Sequence, residues 1–257
     1  MAFPIRIGTA GWTIPRVWRD CFPPDGSQLA RYAARLSAVE INSSFYRPHR
    51  PETYRRWADS VGPGFRFAVK LPKEITHQRR LIDVGAPLRA FAGQIAALGD
   101  KLGVVLVQLP PSLAFERGMA EPFLRAAGVA LPAQLVLEPR HPSWFADGPN
   151  MLLAEHRIAR VAADPPPVPE AAMPGGWSGF AYFRLHGSPR IYRSSYEENA
   201  IAAQARSALH TADASETWVM YDNTTSGAAA GNALAFADRI QVRGPIAGGN
   251  GGSAAST

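Results

Sequence analysis

The sequence predicts an α/β protein built as one closed (β/α)8 barrel, and three observations carry that prediction. Eight short apolar runs recur along the chain, helical patterns separate most of them, and 257 residues is the usual size of one such barrel. The runs are Ile5 to Thr9, Ala38 to Ile41, Phe65 to Lys70 and Gly103 to Leu109, then Gln134 to Leu137, Arg160 to Ala163, Phe180 to Leu185 and Thr217 to Tyr221. Apolar residues at i, i+3 and i+4 mark helices over Leu29 to Leu36, Glu52 to Val61, Leu88 to Leu102 and Tyr196 to Leu209. Ala228 to Ile240 supplies a last helix. The sixth connection, Pro165 to Gly179, is too rich in Pro and Gly for a regular helix and reads as a loop. Strands alternating with helices imply right-handed crossovers and a parallel sheet. A doubly wound dinucleotide fold is set aside, because Gly8-Thr9-Ala10-Gly11-Trp12 puts a Trp where backbone must approach a pyrophosphate. Residues 1–243 thus read as a single domain, and Gly244 to Thr257, rich in Gly, Ser and Ala, as a flexible tail.

Composition narrows the function classes. Hydrophobic content of 46% is enough for a large core. The net charge of +6 invites a nucleic-acid partner, but that reading needs basic clusters. The densest are only the pairs Arg55-Arg56 and Arg79-Arg80, and just three of the 27 basic residues are lysines: Lys70, Lys73 and Lys101. Nucleic acid is therefore the runner-up partner, behind a small molecule. The lone Cys21 cannot form an internal disulfide, which points to a reducing compartment. No secretory leader pattern precedes the first run, and no apolar stretch approaches the roughly 18 residues of a membrane span. The expectation is a cytoplasmic protein with no membrane partner and an open oligomeric state.

In such a barrel the strand C-termini converge on one face, where functional groups gather. The runs here end in Trp12, Glu40 with Asn42, Lys70, Gln108, Glu138 with Arg140 and His141, Asp164, Arg184 with His186, and Asp222 with Asn223. In a strand, residues i and i+2 face the same side. Glu40/Asn42, Glu138/Arg140 and Arg184/His186 are such pairs, and their charges are cheaper facing the lumen than packed unpaired against helices. A purely structural network of mutually neutralised charges is the alternative.

The same residues carry a resemblance. Gly8-Thr9-Ala10-Gly11-Trp12, Val39-Glu40-Ile41-Asn42-Ser43-Ser44-Phe45-Tyr46-Arg47, Phe67-Ala68-Val69-Lys70 with Thr76-His77, and Gln108-Leu109-Pro110-Pro111-Ser112 stand in order. Glu138-Pro139-Arg140-His141-Pro142-Ser143-Trp144, Arg184-Leu185-His186-Gly187 and Asp222-Asn223-Thr224 follow. Together they resemble the YecE-like family, also called domain of unknown function 72, over about residues 5 to 240. The resemblance implies a TIM barrel and carries no established activity with it. Ala10, Ser43-Ser44 and Asp222 depart from residues common in the family, and Asp222 adds a negative charge to the eighth strand.

Residue chemistry then suggests roles. Lys70, Arg140 and Arg184 form an anion-binding floor, since guanidinium forks suit carboxylate or phosphate and an ammonium acts as a point charge. Glu40, Glu138 and His186 are the candidate catalytic proton movers. Glu40 and Glu138 offset two of the three cations, leaving about one positive charge if Asp164 and Asp222 point elsewhere. Trp12, Asn42, Tyr46, His77, Gln108, His141, Trp144, Tyr196 and Asn223 complete the expected substrate surface, the aromatics being able to stack a ring. Ligand spacing such as H-x-H or C-x-x-C is absent and nearby cations would repel a metal, so no metal and no redox cofactor are expected. The reading is an enzyme using acid/base chemistry (a hydrolase, lyase or isomerase) on a small polar anion. A nucleic-acid-processing barrel and a non-catalytic ligand-binding barrel are its rivals.

Overall fold

The computed structural model describes residues 5–211 and 213–242. The first half alternates β1 (Ile5–Thr9), α1 (Gln28–Ala33), β2 (Ala38–Ile41), α2 (Ser43–Tyr46), α3 (Pro51–Asp59), β3 (Arg66–Lys70), α4 (Gly85–Ile95) and β4 (Leu102–Gln108). The second half runs α5 (Arg117–Ala130), β5 (Gln134–Glu138), α6 (Asp147–Glu155), β6 (Ala159–Arg160), β7 (Ala162–Asp164), β8 (Gly175–Gly176), β9 (Ala181–Leu185), α7 (Glu198–Leu209), β10 (Thr217–Tyr221) and α8 (Ala228–Val242). The expected tail from Gly244 lies outside the described residues. No helix among the described residues is long and apolar enough to cross a membrane.

The α/β class and the parallel strands are observed, but the strands divide between two sheets. One has the order β1-β10-β9-β7 and the other β2-β3-β4-β5-β6-β8. All pairs are parallel except β6 with β8, a two-residue antiparallel strand inside the Pro- and Gly-rich sixth connection. The sixth apolar run is a correction to the expected single strand. Its first part pairs with β5, through Leu137 and Arg160. Beyond Val161 it changes partner and pairs with β9, through Ala163 and Arg184. At the other seam Ala10 bridges Glu40, and the Gly11 N–H donates to the Glu40 carbonyl at 2.8 Å. Gly8 is required there: a Cβ would stand 2.0 Å from the Ala38 carbonyl oxygen.

Helices α2, α5 and α6 were not marked by a clear apolar stripe. Pro122 interrupts the donor ladder of α5, and α6 is short. Two apolar clusters hold the fold. The larger packs helices against one face of the strands, with Leu29, Tyr54, Leu88, Phe123, Leu152 and Phe236 among its members. The smaller draws on both sheets from their other face: Ala38, Ala68, Leu106, Val136, Ala159, Tyr182, Trp218 and Met220. Strand parity turns this second cluster into a locator. Glu40, Lys70, Gln108, Glu138, Arg184 and Asp222 each lie two residues beyond one of its members, at the C-terminal end. The N-terminal end is closed by Trp218, whose Nε1 donates to Glu216 at 2.9 Å while Glu216 also pairs with Arg6.

Candidate functional site

Arg184 is the hub of the site. Its Nε and Nη2 donate to the two Glu40 carboxylate oxygens at 3.0 and 2.7 Å, its Nη1 to Glu138 at 2.7 Å, and its Nη2 also to Asp222 at 3.0 Å. The Tyr182 hydroxyl gives Glu40 a further bond at 2.9 Å. A fully buried guanidinium among carboxylates is tolerable only because every one of its nitrogens has a carboxylate partner. Burial disfavours its charge, but Glu138, Glu40 and Asp222 outweigh that and hold it well above its ordinary value. The reverse holds for Glu138: burial would raise its carboxyl, yet the Arg184 and Arg140 guanidiniums keep it well below the usual carboxylate range. Asp222 is lowered likewise, burial being outweighed first by Arg184 and then by the His186 hydrogen bond.

His186 closes a second ring. Its Nδ1 stands 3.0 Å from Asp222, and its Nε2 lies 2.9 Å from Glu138 and 2.7 Å from the Arg140 Nη2. Since Asp222 can only accept, Nδ1 carries a proton, and Nε2 faces a donor and an acceptor together. The Arg140 Nη2 also pairs with Glu138. Its Nε is buried with no partner, and its Nη1 makes no hydrogen bond among the described residues. The Tyr192 ring stands edge-on over His186 at 5.7 Å.

Lys70 differs from both arginines. It ends β3, is nearly buried, and its Nζ lies 4.3 Å from the centre of the Phe45 ring. Among the described residues that Nζ has no hydrogen bond and no ion pair. Burial first, then the Arg184 charge, lowers the ammonium to about 8, against the opposing pull of Glu40, Glu138 and Asp222. His77 packs on the same Phe45 ring at 4.9 Å and takes a Thr76 hydroxyl contact at 2.8 Å. Its charge is disfavoured by burial and by Lys70.

Asp222 corrects the expected charge balance. It points into the cluster, so three carboxylates face Arg184, Arg140 and Lys70, and no positive surplus remains while His186 is neutral. Met220 and Arg184 are register partners on β10 and β9, and this pairing brings Asp222 to Arg184. Parity with Met220 was a usable signal for it; parity with Arg184 was one for Tyr182. Nothing in the loop sequence marks Tyr192.

Other expected residues scatter. Gln108 sits beside Glu138 in register, half-buried. Trp12 and Asn42 line a neighbouring cleft of about 210 Å³ with Gly11, Thr13, Ile41 and Ser43, and the Asn42 Oδ1 is buried without a partner. Tyr46 is 71% exposed beside Phe45. The His141 Nδ1 accepts from the Ser143 N–H at 3.2 Å and so caps a turn.

Four residues assigned to catalysis or to the ligand surface are held differently. Arg184 is fully paired and enclosed, so it organises carboxylates and leaves no open fork. Trp144 is buried in the larger core, its indole donating to the Leu113 carbonyl at 2.9 Å. Tyr196 braces the backbone, accepting from Gly187 at 2.9 Å and donating to the Asp164 carbonyl at 3.2 Å. It also lines a hollow of about 720 Å³ beside α7 and α8, shared with Trp18 and Arg239 and with no member of the ionic cluster. Asn223 is buried, and its Nδ2 donates to the Ser194 carbonyl and to Asn232, both at 2.8 Å. Glu40, Glu138 and His186 are brought together but are enclosed, each already engaged by a guanidinium or by another member of the ring.

Comparison with known proteins agrees with this arrangement of elements. The chain is 31% identical over 178 residues to UPF0759 protein YecE of Escherichia coli, a match spanning 66% of this chain and 62% of that protein. A crystal structure of a DUF72 family protein from Thermotoga maritima superposes with a TM-score of 0.77 at 25% identity, over 93% of this chain and 99% of that one. One from Enterococcus faecalis gives 0.78 at 22% identity, over 92% and 95%, a likeness of fold alone. The family model described as protein of unknown function DUF72 matches residues 6–251, and the chain belongs to that family.

Proposed function

We propose that the two sheets form one closed barrel whose C-terminal mouth performs acid/base chemistry on a small polar anion. Closure is supported by the Ala10–Glu40 bridge at one seam, by the shared run from Ala159 to Asp164 at the other, and by an apolar cluster drawn from both sheets. The observation that carries the functional reading is Lys70, a nearly buried residue whose ammonium still reaches the surface and has no carboxylate partner among the described residues. Cations among buried groups are ordinarily paired, so one left without a carboxylate at a strand end suits an anionic ligand. The Arg140 Nη1, which makes no hydrogen bond among the described residues, supplies a second donor. The network is neutral in sum but not in distribution: its carboxylates lie locked around Arg184, while the free donors belong to Lys70 and Arg140.

In this reading Glu40, Asp222 and Arg184 are positioning residues, and Glu138 with His186 fixes the Arg140 guanidinium. Proton movement at the substrate falls to Lys70 and His77: burial brings the Lys70 ammonium down toward neutral pH, and at His77 it favours the neutral imidazole, which can accept a proton. A nucleic-acid partner has no comparable support, since Arg79 pairs with Glu74 at 2.9 Å and Arg80 with Ser112 at 3.1 Å. The test is turnover. Incubated with a panel of small carboxylates and phosphate esters followed by mass spectrometry, the wild-type protein is expected to convert one class, and Lys70→Met to lose at least about a hundredfold in rate, the scale of one acid/base group. Equal conversion by the two proteins would remove Lys70 from the mechanism.

A further inference from the structure

We infer that Lys70 is an amine nucleophile that forms a Schiff base with a small carbonyl-bearing acid, an aldehyde or ketone carrying a carboxylate or phosphate. The inference rests on the anion-binding reading of the same mouth and adds the substrate's reacting group. Three features of the site lead to it. The Nζ is the one amine on the cluster's face of the strands, it is held against the Phe45 ring at 4.3 Å, and no acceptor among the described residues holds its proton. A lysine serving only as a structural counter-charge would be found in contact with Glu40, Glu138 or Asp222. Here those three carboxylates bond Arg184 instead. Lys70 is thus surrounded by charge without being fixed by it, and its lone pair is available.

The groups that act on its titration come from several elements. Arg184 on β9 disfavours the ammonium, as does burial, while Glu40 on β2, Glu138 on β5 and Asp222 after β10 favour it. The balance leaves the amine at about 8, and His77 feels the Lys70 charge in return. At pH 7 this gives on the order of three hundred times more neutral amine than a lysine at its ordinary value. A desolvated lysine in a partly apolar pocket is a recognised route to nucleophilic catalysis.

The step balances without a further reactant. The neutral Nζ attacks the carbonyl carbon, a C–N bond forms, the π pair moves to oxygen, and a proton passes from nitrogen to oxygen to give a carbinolamine. Protonation of that hydroxyl expels water as the nitrogen lone pair forms C=N. One water leaves and nothing is oxidised or reduced. His77, on the same Phe45 ring, is placed to carry the proton, and the unused Arg140 Nη1 suits the substrate's anionic end.

Glyoxylate with cyanoborohydride is the probe, because reduction of the imine leaves a stable carboxymethyl-lysine that peptide mass spectrometry locates. Lys73, on the same protein and beside the exposed Tyr46 ring, is the internal reference. The expected result is labelling of Lys70 at least about tenfold faster than Lys73, with a rate rising with pH through a midpoint near 8 and no adduct at that position in Lys70→Arg. Labelling of Lys70 no faster than Lys73 in the folded wild-type protein would overturn the inference. The melting temperature in phosphate against chloride at equal ionic strength, measured on the same samples and expected to rise specifically in phosphate if the site binds an anion, separates the two ideas. If that rise is present and the adduct absent, only the nucleophile falls; if both are absent, the anion-binding reading falls with it.

Discussion

Burial and the Arg184 guanidinium lower the Lys70 ammonium from 10.5 to about 8, and the sign of that shift makes the residue a cost to the fold. A group that binds its proton less tightly when folded destabilises the native state wherever it is charged. The unfolded chain holds the extra proton between about 8 and 10.5, so this contribution to stability rises with pH across that window and its penalty is complete below it. At about 1.4 kcal/mol per unit, Lys70→Met is predicted to stabilise the protein by on the order of 3 kcal/mol at pH 7 and by little at pH 10.5. Denaturant melts at the two pH values check it. A variant less stable than wild type at pH 7 would mean that Lys70 is a structural counter-ion. At this scale much of the site was legible. Alternation paired Glu40 with Asn42, Glu138 with Arg140 and Arg184 with His186, and the cost of packing an unpaired charge against a helix chose the face. Burial was not legible: Trp144 and Tyr196 read as ring-stacking aromatics, and only the packed structure reveals that the Leu113 and Asp164 carbonyls hold them.

Element positions follow from how the strands approach one another. At Gly8 a Cβ would meet the Ala38 carbonyl oxygen at 2.0 Å, and because that obstacle is backbone it cannot swing away. Gly8→Ala is therefore predicted to cost at least the 1–3 kcal/mol typical of overpacking, by prising β1 from β2. Gly128, in α5 with nothing within 4 Å of its Cβ position, is the contrast. There Ala should stabilise by about 0.5–1 kcal/mol through helix propensity. Chemical denaturation of the two variants checks both signs, and equal effects would contradict the close approach. The strand starts and lengths were readable from β-branched runs between turn residues. The exchange of partners within Ala159 to Asp164 was not, since one short apolar run looks the same whether one neighbour or two pair with it. Nor was the reach of Asp222 to Arg184, which depends on the register that sets Met220 beside Arg184.

On the scale of the molecule, one end of the strands is plugged by Trp218, Glu216 and Arg6, and the other carries three carboxylates, two arginines, a lysine and a histidine. Apolar side chains fill the space between, so the charged cluster at the C-terminal end of the strands is separated from the Arg6–Glu216 pair, and its low-dielectric surroundings strengthen whatever field is left unbalanced. Lys70 and Arg140 are the groups proposed to present that field to a small anion. An anion that binds only the folded protein stabilises it by RT ln(1 + [L]/Kd), about 2.7 kcal/mol at a hundredfold excess over Kd. That corresponds to several degrees of melting temperature for a chain of this length. The direct measurement is the melting temperature in phosphate against chloride at equal ionic strength, for wild type, Lys70→Met, Arg140→Gln and the exposed-site control Arg56→Gln. A phosphate-specific rise is expected in wild type and in Arg56→Gln, and its loss in Lys70→Met and Arg140→Gln. An identical response of all four proteins to both salts would contradict it, and would make the mouth an internally satisfied network with no site for an anion.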